Sequence, residues 1–102
     1  MAIDLDRQRR EFTRWVLLLA LYNARPLGTW EEVLVSTMQG VYVDATQQEV
    51  RVELGYLAER GLVKVTRRPE GRWFAEISHV GVDVVEYTVD VHPGIARPAK
   101  LS

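Results

Sequence analysis

At Gly61 the sequence changes period, and that switch limits what the chain can build. Ahead of it Val50, Leu54 and Leu57 recur at spacings of four and three, as one buried helix face requires. Beyond it Leu62, Val63, Val65 and Thr66 read as one strand, and Trp73, Phe74, Ala75 and Ile77 as another. Between them Arg67-Arg68-Pro69-Glu70-Gly71-Arg72 places Pro and Gly at turn positions, so the two strands form a hairpin. Gly61 itself stands where a residue in the left-handed conformation closes a helix.

Helix-start signals extend the reading upstream. Thr46-Gln47-Gln48-Glu49 is a capping box opening a helix over 46–60, with Asp44 as an alternative cap. Gly55 in its middle costs about 1 kcal/mol relative to Ala; it marks either a close approach to a helix or DNA, or a tolerated surface position. Thr29-Trp30-Glu31-Glu32 is a second capping box, opening a helix whose inward face is Val33, Leu34, Thr37 and Met38. A first helix runs from about Asp4 to Asn23, with Phe12, Trp15, Leu18, Leu19 and Tyr22 as its main stripe. Val16, Leu17 and Leu21 widen that stripe almost all round, and Arg25-Pro26-Leu27-Gly28 breaks the helix. Ser78 caps a last short helix over Val80 to Tyr87. The expected fold class is α+β, mainly α: a three-helix bundle, a two-stranded β-hairpin and a C-terminal helix in a domain spanning residues 1–88. Residues 89–102, with Pro93-Gly94 and Arg97-Pro98, read as an extended or disordered tail.

A chain of 102 residues with 47% hydrophobic and 26% charged residues holds one core of ordinary composition. There is no cysteine, which excludes disulfides and thiolate metal sites. The longest apolar run, Trp15 to Tyr22, is far short of the ~20 residues of a membrane span. No small-residue cleavage site follows it, so a cytoplasmic location without membrane association is expected. The net charge of −1 conceals an uneven distribution. Residues 1–25 and 62–78 each carry +2, whereas residues 26–61 carry −4. Basic charge thus gathers at the start of the chain and on the hairpin.

The stretch Val50-Arg51-Val52-Glu53-Leu54-Gly55-Tyr56-Leu57-Ala58-Glu59-Arg60-Gly61-Leu62-Val63 resembles the end of a winged-helix recognition helix running into its first wing strand. Trp73-Phe74-Ala75-Glu76-Ile77-Ser78-His79-Val80-Gly81 is similar to the phrase that opens the terminal helix in PadR-, MarR- and ArsR-like regulators. The resemblance to this winged helix-turn-helix superfamily covers roughly residues 10–88 and implies a winged-helix transcriptional regulator. Gly94-Ile95-Ala96-Arg97-Pro98, after a short Val-rich helix, also resembles small proteins of Mu-like prophages.

The resemblance implies that the helix over 46–60 enters the major groove of double-stranded DNA through Thr46, Gln47, Gln48 and Arg51. Gln pairs bidentately with adenine and Arg with guanine, so the residue types suit base reading. Lys64, Arg67, Arg68 and Arg72 on the wing would hold phosphates. Against this, Glu49, Glu53 and Glu59 share the helix with Arg51, and a duplex repels such a surface. Arg7, Arg9 and Arg10, with Arg14 one turn on, offer a second phosphate contact, although a solvated basic helix start explains them more simply. His79, Asp83 and Glu86 share a helix face, but capping and surface solvation explain them better than a metal. No catalytic residue, metal or other cofactor is expected, and the chain does not read as an enzyme. The over-apolar first helix and Val80, Val82, Val84, Val85, Val89 and Val91 suggest a homodimer through the first and C-terminal helices. They also fit the alternative of a protein-interaction or assembly module without DNA binding.

Overall fold

A computed structural model describes residues 2–100 as four helices and a three-stranded antiparallel sheet, with about half the chain helical. The order is α1 (Leu5–Asn23), β1 (Thr29–Trp30), α2 (Glu31–Gln39), α3 (Gln47–Glu59), β2 (Val63–Arg67), β3 (Trp73–Ile77) and α4 (His79–Val85). The expected α+β class holds, and so do the hairpin and the helix order. The sheet, however, has three strands in the order β1-β3-β2 where a two-stranded hairpin was expected.

The third strand is the reason the first of the two capping boxes does not form. Thr29 and Trp30 pair with Ala75 and Phe74, so Thr29 lies inside a ladder when it would have to cap a helix. α2 starts after Trp30, which makes no side-chain cap. Its inward face is correspondingly rotated: Leu34 and Met38 are buried together with Glu31, while Val33 and Thr37 are exposed. The second box forms by half. The Thr46 hydroxyl accepts from the Glu49 amide at 3.2 Å, but the Glu49 carboxylate turns to Arg9 and leaves Asp44 uninvolved in capping.

α3 ends where Gly61 adopts φ 72°. The Gly61 amide donates to the Ala58 carbonyl and the Leu62 amide to the Leu57 carbonyl, the paired bonds of a Schellman closure. The chain then enters β2, whose Val63 and Val65 face Ile77 and Ala75 on β3. Ser78 ends β3 and caps α4: its hydroxyl accepts from the Gly81 amide at 3.1 Å and donates to the Gly61 carbonyl at 2.6 Å.

α1 is central. Trp15, Leu17, Leu18 and Leu21 are buried with Leu34, Met38, Val50, Leu54, Leu57, Leu62 and Val84 in one core. The stripe expected from Phe12, Leu19 and Tyr22 is shifted by about one residue, and Phe12 stays 38% exposed. Several faces of α1 are apolar because several elements cover it. Residues 89–100 carry no helix or strand, yet they lie along α1, where Ile95 is buried and the Ala96 amide donates to the Glu11 carbonyl. Arg97 anchors the same segment through the Val84 and Val89 carbonyls, each at 2.9 Å, and stacks on Tyr87.

Candidate nucleic-acid interface

The outward side of α3 and the inward side of the hairpin enclose an open hollow of about 490 Å³. Gln48, Val52, Gly55 and Glu59 run along its floor at helical spacing. Arg10 and Arg14 of α1 border it on one side, and Arg51, Arg67 and Trp73 on the other. The floor is open: Val52 is 53% exposed, and a Cβ added to Gly55 would meet nothing within 4 Å.

Beneath this hollow lies a carboxylate that organises it. Glu31 is 1% exposed and accepts two bonds from the Arg51 Nη2 and one from its Nε, at 2.7–3.0 Å. It also accepts from the Gln47 side chain and from the Trp73 amide. One acid at the start of α2 therefore ties α3 to the first residue of β3. Arg51 completes the tie by donating to the Gly71 carbonyl in the hairpin turn at 2.6 Å. A buried carboxylate needs this degree of pairing, since desolvation of the charge is otherwise costly.

This arrangement redistributes the residues expected to touch DNA. Thr46 is engaged in its cap, while Gln47 and Arg51 are engaged with Glu31. Gln48 is exposed, and no side-chain partner holds it among the described residues. Arg67 stacks on Trp73, with 4.5 Å from guanidinium to ring centre, and faces the hollow. Arg68 and Arg72 turn to Trp30 on the other side of the sheet, at 5.7 and 3.9 Å. Arg72 is also paired with Glu32 at 2.7 Å and holds that carboxyl below the usual carboxylate range. Lys64 stands opposite Glu76 and lines a separate cleft with Arg25 and His79. Gln48, Arg51 and Arg67 are thus brought together; Lys64, Arg68 and Arg72 lie apart from them.

The acids that weigh against DNA in the sequence are nearly all neutralised. Glu49 and Asp44 pair with Arg9, Glu53 with Arg14, Glu31 with Arg51 and Glu32 with Arg72. Of the six acids between residues 26 and 61, only Glu59 has no ion pair among the described residues. Among those same residues Arg10, Arg67 and Arg68 have no carboxylate within 4.0 Å. Charge left uncompensated around the hollow is therefore mainly positive, although the segment that forms its floor is acidic by count.

Arg10 borders the hollow although in the sequence it carries no more weight than its neighbours. It belongs to a cluster whose other members Arg7, Arg9 and Arg14 are engaged with Glu11, Glu49 and Glu53, and nothing local distinguishes it from them. Val52, Tyr56 and Trp73 also line the hollow without having been expected there. Val52 follows Gln48 by one helical turn, a spacing that could have disclosed it. Tyr56 is held by Arg14 and Arg60, whose guanidiniums lie 3.4 and 3.5 Å from its ring centre. Comparison with known proteins finds no matching family model, curated protein or solved structure.

Proposed function

We propose that the chain is a winged-helix DNA-binding protein that regulates transcription, with α3 facing the major groove of a duplex and the β2–β3 hairpin as its wing. The observation that carries this reading is the charge segregation around the hollow. Among the described residues, internal pairing engages every acid of α2 and α3 except Glu59, while Arg10 and Arg67 keep uncompensated charge beside an open helix face. The succession of helices, the hairpin directly after α3 and a short strand closing the sheet support the winged-helix assignment.

Base contacts in this reading fall to Gln48 and Val52, and phosphate contacts to Arg10 and Arg67. Arg51 and Gln47 act by holding α3 and the wing at a fixed separation. A protein-interaction module draws less support from α1, because Trp15, Leu17, Leu18 and Leu21 are buried inside the chain; of the C-terminal valines Val84 is buried while Val80 and Val89 are exposed. A homodimer through the first and C-terminal helices would have to use Ile3, Leu5, Phe12, Val80 and Val89, which remain exposed. Sedimentation at two concentrations decides that point. The DNA reading is tested by titrating a labelled mixed-sequence duplex and following anisotropy. Binding at about 50 mM salt that weakens steeply toward about 200 mM is expected for a phosphate-driven contact. A duplex left unbound at the lower salt rejects it.

A further inference from the structure

We propose that the open face of α3 selects adenine–thymine steps, with Gln48 taking the adenine edge and Val52 packing on a neighbouring thymine methyl. This rests on the duplex-binding reading above. Few side chains on that face have groups to spare for a base. Arg51, the guanine reader expected from its type, is fixed by Glu31 and the Gly71 carbonyl. Gln47 is fixed by the same carboxylate. Gln48 has an unengaged amide, and in the major groove an amide matches the N6 donor and N7 acceptor of adenine.

The next position on the face reinforces the choice. Val52 lies one turn on, at a separation of about 6 Å between Cβ atoms, and base pairs stack at about 3.4 Å. The two side chains therefore reach pairs no more than about two steps apart. Val52 offers only methyl groups, and the thymine C5-methyl is the apolar feature of the major groove. Gly55, a further turn down, has no Cβ to hold the helix away. Arg10 and Arg67 flank this stretch from α1 and from the wing, which sets Gln48 and Val52 between two phosphate contacts. Glu59 closes the far end of the face, where an acceptor-only group disfavours contact with phosphates or adenine N7.

The test compares full-length protein on alternating A–T, alternating G–C and alternating A–U duplexes of equal length at low salt. The A–T duplex is expected to bind about 10-fold more tightly than the G–C duplex. The A–U duplex, which lacks the methyl, should fall between them, and Gln48→Ala should narrow the gap between the A–T and G–C affinities to the share of the thymine methyl. Equal affinity of the unaltered protein for A–T and G–C overturns the proposal. So does an A–T preference that persists undiminished in both Gln48→Ala and the A–U duplex, because that pattern belongs to minor-groove width. Failure to bind any of the three overturns the duplex reading itself, and the selectivity with it.

Discussion

Glu31 illustrates how far the environment of one side chain can depart from its type. Glutamate is seldom fully buried unless it is paired, and here the carboxylate collects four donor groups from two other elements. Its removal leaves Arg51 half-buried without a counter-charge and the Trp73 amide without an acceptor. Glu31→Ala should therefore cost about 3–5 kcal/mol, read from denaturant unfolding. A loss under about 1 kcal/mol, the range of an exposed pair, would contradict the central place given to this residue. By contrast the exposed Arg72–Glu32 pair should contribute little, since both side chains are about half in water.

At the scale of elements, α3 is defined by its two ends. Thr46 begins it and Gly61 closes it, and both were legible in the sequence because each acts within a few residues. Replacing Gly61 by Ala puts a Cβ into the left-handed region, although nothing in the surroundings would clash with it. The expected cost is about 1–2 kcal/mol, seen as a lowered unfolding midpoint with unchanged helicity; no change in midpoint would show that the closure is not as strained by a side chain as its φ requires. β1 was not legible for the opposite reason. Thr29-Trp30-Glu31-Glu32 satisfies the local pattern of a capping box, but pairing with Ala75 and Phe74, far along the chain, wins. The same distance hid the role of Glu31, whose partners Gln47, Arg51 and Trp73 come from α3 and β3. Local chemistry wrote the helix ends and the hairpin into the sequence, whereas side chains engaged across elements, including most of the expected contact residues, emerge only from the packing.

On the scale of the whole molecule, two long-range arrangements matter. The first is the segment after α4. It covers α1 with Ile95, receives the Arg14 guanidinium at the Gly94 carbonyl at 2.8 Å, and carries the Arg97 contacts to Val84 and Val89. Ending the chain after Thr88 should therefore destabilise the rest by at least about 2 kcal/mol, the order of one buried aliphatic side chain. Thermal unfolding of the shortened chain checks this, and an unchanged midpoint would mean that the segment only rests on α1. The second is the sorting of charge. A chain with net charge −1 turns an excess of unpaired arginine toward one hollow, because its acids are engaged by other arginines across the core. The two unpaired guanidiniums at the hollow, Arg10 and Arg67, imply about two released counterions and a slope of log affinity on log salt of about −1.8. The most direct test is therefore the salt dependence of duplex binding for the unaltered protein and for the combined Arg10→Ala, Arg67→Ala variant. The slope is expected near that value and should collapse toward zero in the variant, with affinity falling alike on all sequences. A slope that the two substitutions leave unchanged, or a folded protein that ignores duplex DNA at about 50 mM salt, would contradict this charge sorting.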